Sequence, residues 1–141
     1  MIEKGMPIDC VLHAKTGMDF PEMEAHIAKL DDFLFQERGL HITILQAAHS
    51  FEWFMFDVPL QQKRAIDRRL ALNQPLHGYG WPGSRVRWCT GKLKTHLMDK
   101  EVNRLKKEQN ALHYIGIAAD EAHRCKTNEH HSYPLVEWGI T

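Results

Sequence analysis

The segment from residue 79 to residue 94 concentrates the side chains best suited to binding a charged ligand. Its turn-forming glycines and proline bring a backbone close to a partner, and its aromatic rings offer flat faces. Cations beside the free N–H groups at a helix start make a place for an anion. The residues with these properties, together with one thiol, are Arg85, Arg87, Trp88, Cys89, Lys92 and Lys94. The segment therefore predicts a site for a phosphate or sulfate group on an aromatic-bearing ligand.

Cys89 allows two interpretations. A thiol near a helix N-terminus and two arginines favours the thiolate, which is the reactive and metal-binding form. A cysteine beside Trp88 is also often a small buried residue. The other cysteines, Cys10 and Cys125, are distant in sequence, and an odd total of three argues against a disulfide framework. The ten histidines form no HExxH pattern, so we expect no metal site.

Composition limits the classes of partner. A chain of 141 residues with 43% hydrophobic and 26% charged residues fits one soluble globular domain. A formal net charge of zero gives no general attraction to nucleic acid or to an acidic membrane. No apolar run approaches the roughly 18 residues that span a bilayer, and the N-terminus does not resemble a signal peptide. The expected location is cytoplasmic, and neither a membrane nor a nucleic acid is indicated as a partner.

The first third of the chain predicts a βαβ unit with parallel strands and a right-handed crossover. A strand over Ile8–His13 precedes a helix with Asp19 as N-cap, and this helix ends at Gly39. A second strand follows over His41–Leu45. Ligands of open α/β sheets bind beyond the carboxyl ends of the strands, where Thr16 and Gly17 lie. The alternative is that Gly17 only permits a tight turn.

The rest of the chain predicts further helices and strands. An aromatic cluster at residues 51–56 reads as core, or as a partner surface if it is exposed. Charged helices are expected over residues 61–72 and 93–105, the second with a cationic outer face. A third strand over residues 112–117 leads to Asp120, Glu121 and Arg124, and residues 133–138 read as an edge strand or extended segment because of Pro134. No linker divides the chain, so the sequence predicts a single domain over residues 1–141.

Four of these segments, in their order and spacing, resemble the phosphoadenosine phosphosulfate (PAPS) reductase family. They are Thr16-Gly17-Met18-Asp19-Phe20-Pro21-Glu22, Arg87-Trp88-Cys89-Thr90, Gly116-Ile117-Ala118-Ala119-Asp120-Glu121 with Arg124, and Tyr133-Pro134-Leu135-Val136-Glu137-Trp138. The resemblance is greatest to divergent members, often borne by phages or mobile elements.

The resemblance implies an adenine nucleotide α-hydrolase-like fold, which is an α/β fold with an open, mostly parallel sheet flanked by helices. It also implies the oxidoreductase chemistry of sulfur metabolism, with an adenosine phosphosulfate or ATP as ligand. Thr16 and Gly17 would line the adenosine side, and Arg87, Lys92 and Arg124 would hold phosphate or sulfate. The full implied nucleotide-binding set is Thr16, Gly17, Arg85, Arg87, Trp88, Lys92, Lys94, Asp120, Glu121 and Arg124.

The chain departs from the family pattern at several points. A Ser-Gly-Gly-Lys-Asp-Ser type PP-loop and the strand before it are expected ahead of residue 8 but are not found, and neither is the C-terminal segment with the nucleophilic cysteine. Lys15 stands where the family usually has aspartate, and Ala118 where it often has arginine. The domain is therefore expected to be incomplete at its N-terminus.

Three functional hypotheses follow from these departures. The chain is an enzyme of the sulfonucleotide reductase class, a non-catalytic nucleotide-binding or protein-interaction module, or a fragment of a longer enzyme; alone, it is expected to be inactive. Cys89 and Cys125 could be two ligands of an iron–sulfur cluster, but such clusters normally need four, so a complete cluster is not expected. A missing strand would leave an open sheet edge, for which a homodimer or a partner chain is the predicted cover.

Overall fold

The computed structural model describes residues 1–84, 86–109, 111–126 and 128–141. It confirms the α/β class, with helices and parallel strands in one chain. Contacts in the structure cluster into two compact units, and the single domain over residues 1–141 stays a prediction of the sequence. One unit comprises residues 9–98, and the other comprises residues 1–8 and 99–141.

The unit of residues 9–98 begins with the expected βαβ arrangement. Strand β1 is Val11–Lys15, helix α1 is Pro21–Arg38 and strand β2 is Ile42–Gln46. The two strands are parallel, and the register runs from Val11 opposite Ile42 to Lys15 opposite Gln46. Strand β1 covers Val11–Lys15 instead of the predicted Ile8–His13, and because it ends at Lys15, Thr16 and Gly17 follow its carboxyl end directly.

The start of α1 differs from the sequence prediction, and its end agrees. Phe20 is the N-cap residue and gives no side-chain hydrogen bond to the helix, so the prediction of Asp19 as N-cap is wrong. Asp19 instead accepts hydrogen bonds from Thr16, which precedes it in the turn. Gly39 ends the helix at φ 66°, and its N–H donates to the carbonyl of Phe35. A left-handed residue at this position favours glycine.

The main hydrophobic cluster of this unit is aromatic. Phe51, Trp88 and Leu93 are buried together, and Phe54 and Tyr79 pack against them. The indole N–H of Trp88 donates to the carbonyl of Gly80 at 3.0 Å, which satisfies its one polar atom. The prediction that residues 51–56 form core is confirmed for Phe51, whereas Phe56 is exposed.

Helical segments complete the unit of residues 9–98. A π-helical turn covers Trp53–Asp57, and helix α2 is Lys63–Ala71, within the predicted charged helix. A second π-helical turn, Thr90–Thr95, leads into helix α3, which is His96–Gln109. A π-helical turn bonds residue i to residue i+5 and often occurs at a functional site.

The other unit contains short elements. It contains a 3₁₀ turn at Ile2–Lys4 and most of α3. Strand β3 is His113–Tyr114 and strand β4 is His131–Ser132, and the two pair in parallel. A 3₁₀ segment spans Ala119–Arg124. Helix α4, Pro134–Glu137, replaces the edge strand or extended segment predicted over residues 133–138. The prediction was wrong because proline suits the first turn of a helix, where its missing N–H is not needed.

Within the described ranges, no helix is both long enough and apolar enough to cross a membrane.

Candidate functional site

A pocket of about 360 Å³ lies at the carboxyl end of β1. The turn that follows β1 and the first residues of α1 form one side, and the segment at the start of the Thr90–Thr95 turn forms another. Its lining residues are Thr16, Met18, Asp19, Phe20, Met23, Phe51, Cys89, Thr90 and Lys94. The structure thus brings Thr16 together with Cys89 and Lys94, three residues that the sequence analysis selected from distant segments.

The turn between β1 and α1 is held by its own polar side chains. The backbone N–H and the hydroxyl of Thr16 both donate to Oδ2 of Asp19 at 3.0 Å. The N–H of Met18 donates to the Thr16 hydroxyl oxygen at 3.2 Å. Gly17 has φ 79°, in the left-handed region that favours glycine, and a Cβ at this position would meet no atom within 4 Å. Gly17 therefore permits this turn, and it is not among the residues that line the pocket.

The Asp19 carboxylate carries negative charge into the pocket. Burial raises the pKa of Asp19, but the two hydrogen bonds from Thr16 and the positive charges of Lys94 and His13 outweigh it, so the pKa lies below its ordinary value. The pocket therefore contains an ionised carboxylate near a lysine. Such a pair can accept hydrogen bonds from hydroxyl groups at one point and attract an anion at another.

The segment of residues 88–95 places some side chains in the core and others in the lining of the pocket. Leu93 is 1% exposed within the aromatic cluster, whereas the neighbouring Lys94 is exposed and lines the pocket. Cys89 is half-buried, packs against the aromatic cluster and also lines the pocket. Cys89 therefore packs against the core on one side and is accessible from the pocket on the other.

Several predicted ligand residues on this segment lie elsewhere. Trp88 is 9% exposed and belongs to the core, so it offers little ring surface to a ligand. Arg87 and Lys92 are exposed and do not line the pocket. Arg85 lies outside the described residues. Among the predicted cations of this segment that the structure describes, Lys94 lines the pocket.

The predicted residues near the chain's end belong to the other unit. Arg124 forms an ion pair with Glu121, one turn away in the 3₁₀ segment. Asp120 is exposed, and Cys125 is half-buried with a free thiol. In this ion pair, the negative charge of Glu121 offsets part of the positive charge of Arg124. The family resemblance assigns Arg124 to the binding of phosphate or sulfate.

Metal ligands do not gather in the described parts of the chain. No group of three or more histidine, cysteine, aspartate or glutamate side chains lies in a position to hold a metal ion there. The three cysteines are free thiols.

Sequence reasoning missed a second recess, a groove of about 480 Å³ between α1 and the β1–β2 sheet. Its lining residues are His13, Lys15, Asp19, Met23, Glu24, Ile27, Ala28, Asp31, Ile42, Ile44 and Gln46. Asp19 and Met23 line both the groove and the pocket, so the two recesses adjoin. Met23 and Ile27 are four residues apart in the sequence, a spacing typical of the apolar face of a helix. Because that pattern also predicts complete burial, it does not distinguish a groove from a core.

Searches of protein-family models, of curated proteins and of solved structures find no match to this chain.

Proposed function

We propose that this chain binds an adenine nucleotide, either an adenosine phosphosulfate or ATP, at the pocket beyond β1. In this proposal it is a divergent relative of the PAPS reductases with an adenine nucleotide α-hydrolase-like arrangement. The observation that carries the proposal is the convergence of two motifs on one pocket. Thr16 and Asp19 belong to the first motif of the resemblance, Cys89 and Thr90 belong to the second, and Lys94 follows it.

The chemistry of the lining residues supports a nucleotide over a simple anion. Lys94 supplies positive charge for a phosphate or sulfate, and the Thr90 hydroxyl is a potential donor to it. Asp19 is an acceptor for ribose hydroxyls. Phe20 is 77% exposed and supplies apolar surface beside them. A site that binds inorganic phosphate alone needs neither the carboxylate of Asp19 nor the exposed ring of Phe20.

The proposed role is binding without a reductase reaction by this chain alone. The pocket contains one thiol, Cys89, and the described residues place no second cysteine beside it in the pocket lining. The proposal therefore assigns to Cys89 no redox step.

Isothermal titration calorimetry with adenosine phosphosulfate, PAPS and ATP tests the proposal. We expect at least one of them to bind with a dissociation constant below 1 mM, which corresponds to about −4.1 kcal/mol. GTP at the same concentrations controls for nonspecific attraction of a triphosphate. Absence of heat with all three adenine nucleotides would overturn the proposal.

A protein-interaction module is the second candidate, because unit 9–98 exposes large apolar side chains. Trp81 is 71% exposed, and Phe33 and Phe35 on α1 are about half exposed. Exposed apolar surface of this kind is typical of a contact with another protein. If no nucleotide binds, and if Trp81→Ser abolishes association with a partner or with a second copy, this candidate replaces the first.

A further inference from the structure

The groove between α1 and the sheet has an apolar floor that the fold leaves uncovered. Met23 and Ile44 are each 48% exposed, although both lie where a helix faces a sheet. Half-buried Ile27 and buried Ile42 also line the groove, beside these exposed side chains. A volume of about 480 Å³ lies within the range of pockets that hold small molecules, about 300–1,000 Å³. Apolar surface that is concave and uncovered is suited to a flat, weakly polar group.

The groove also has a polar rim at the end nearest the pocket. Strand residues alternate between faces, and the register pairs His13 with Ile44 and Lys15 with Gln46 on the groove side. Gln46 supplies both an amide donor and an acceptor, which suits the polar edge of a heterocycle. Lys15 forms an ion pair with Glu24 at 2.8 Å, joining β1 to α1 at this rim.

Asp19 stands at the junction of the groove and the pocket. Both hydrogen bonds from Thr16 end on Oδ2, and Oδ1 receives none from the described residues. An ionised oxygen thus remains available between an apolar recess on one side and Lys94 with Thr90 on the other. The order of these groups matches the order of a nucleotide's parts: base, sugar and phosphate.

We propose that the groove holds the heterocyclic base of the nucleotide, with the ribose at Asp19 and the phosphate at Thr90 and Lys94. This inference rests on the proposed function and adds to it the part of the chain that recognises the base. The base lies between the Met23–Ile27 side of α1 and the Ile42–Ile44 side of β2, and Gln46 hydrogen-bonds its edge.

Filling the groove tests the inference. Ala28 lines the groove, and Ala25 lies on the same helix, is exposed and does not line it, so Ala28→Trp and Ala25→Trp are a matched pair. Calorimetry would compare AMP with ribose 5-phosphate, which has the same phosphate and sugar without the base. We expect Ala28→Trp to weaken AMP binding at least tenfold and to leave ribose 5-phosphate binding within twofold. Ala25→Trp should change neither.

The outcomes separate this inference from the proposed function. If the unmodified protein binds AMP and Ala28→Trp binds it equally well, the base lies elsewhere and only the inference is overturned. If the unmodified protein binds no adenine nucleotide, both are overturned.

A second measurement tests the inference without the Ala28→Trp variant, whose folding could be impaired. The unmodified protein alone should bind AMP at least tenfold more tightly than ribose 5-phosphate, since the base adds buried apolar surface. Equal affinities would contradict the inference whatever the variants do.

Discussion

At the scale of single residues, Lys94 is the side chain on which anion binding should depend. We expect Lys94→Ala to weaken nucleotide binding by about 1.5–3 kcal/mol, the range for a hydrogen bond to a charged group. Lys92→Ala is the control, because Lys92 is exposed on the same segment and does not line the pocket. Calorimetry of both variants measures the difference. Equal losses of affinity in Lys92→Ala and Lys94→Ala would show that binding depends on the overall positive charge of the segment and not on Lys94.

The Asp19 carboxylate should give the protein a measurable acid dependence. Its folded pKa lies below the ordinary value of about 3.9, so its contribution to stability is present above that value and is lost as pH falls through the folded pKa. Asp19→Asn should therefore lower the free energy of unfolding at pH 6. The difference from the unmodified protein should shrink steadily below about pH 4. Urea unfolding over this range measures it, and a difference that stays constant with pH would contradict the prediction.

Sequence types and spacing identified part of the candidate site. Thr16 was predictable because it follows a strand in a βαβ unit, and Lys94 because it lies in a cation-rich segment. The burial of Trp88 was not predictable, since an aromatic residue in a segment with several glycines is equally typical of a ligand face and of a core. Its indole N–H donates to Gly80, a contact that depends on the folded path of residues 80–88.

At the scale of elements, Gly78 lies closer to neighbouring backbone than the other glycines of the unit of residues 9–98. It has φ 71°, and a Cβ there would lie 2.5 Å from the carbonyl oxygen of Met55 and 2.8 Å from that of Phe56. Gly78→Ala should therefore cost strain and overpacking together, at least about 2 kcal/mol of unfolding free energy.

Gly39→Ala is the matched control for that substitution. Gly39 also has a positive φ, 66°, but a Cβ there meets nothing within 4 Å, so only the backbone strain of about 1–2 kcal/mol applies. Urea unfolding of both variants gives the difference due to the close approach alone. If Gly39→Ala proved as costly as Gly78→Ala, this approach of residue 78 to residues 55 and 56 would be wrong.

The β3–β4 pair should weaken in mild acid. His113 and His131 are directly opposite across the strands, with ring centroids 5.6 Å apart, and Nζ of Lys106 lies 3.5 Å from Nε2 of His131. Burial and then the neighbouring positive charges lower the pKa of both imidazoles. The charged and titratable neighbours are Asp99, Lys106, Lys126 and His130.

A folded pKa below the ordinary value of about 6.5 means that the unfolded chain takes up protons first as pH falls. Stability should therefore decline from about pH 6.5 downward, and His131→Gln should lessen that decline. Urea unfolding at pH 7.5 and pH 5 measures it, with His26→Gln, an exposed site on α1, as the control. An identical decline in the His131 variant would count against the prediction.

The long, periodic elements were the predictable ones. Helix α1 and its two flanking strands follow from apolar spacing and from Gly39, which ends the helix. The start of α1 was not predictable in detail, because the Asp19 side chain can bond forward to the helix or backward to Thr16, and folding selects the backward bond. For residues 133–138, proline permits either an edge strand or a first helical turn, so the local sequence leaves both open.

At the scale of the whole molecule, the β1–β2 sheet leaves edges for association. In the described residues each strand pairs with the other alone, and the β2 sequence, Ile42–Gln46, contains no charge or proline to protect an edge. We propose that two copies pair through the open edge of β2; the sequence predicts only that an open sheet edge is covered by a second copy or by a partner chain. Sedimentation velocity should then show a dimer, and Thr43→Lys, at an exposed edge position, should shift it toward monomer. A monomer at all concentrations would reject the proposal.

The division into two units was not visible in the sequence. It falls between Met98 and Asp99, inside helix α3, where helical periodicity continues without a proline, glycine or change in composition. Domain boundaries are usually read from linkers. A boundary that a helix crosses leaves no such signal.

The π-helical turn at Thr90–Thr95 makes chain length matter more than side-chain identity there. Gly91 lies in open space, since a Cβ on it would meet nothing within 4 Å, so Gly91→Ala should be tolerated. Deleting Gly91 is a different change, because a turn one residue shorter would close as an α-helix. The residues after the deletion would then be rotated about the helix axis by about 100° relative to the residues before it, the angle that one helical residue spans. Leu93 could not remain in the aromatic cluster while Lys94 and Cys89 both kept their positions at the pocket. Proteins related to this chain should therefore tolerate substitution of residue 91 but not its deletion.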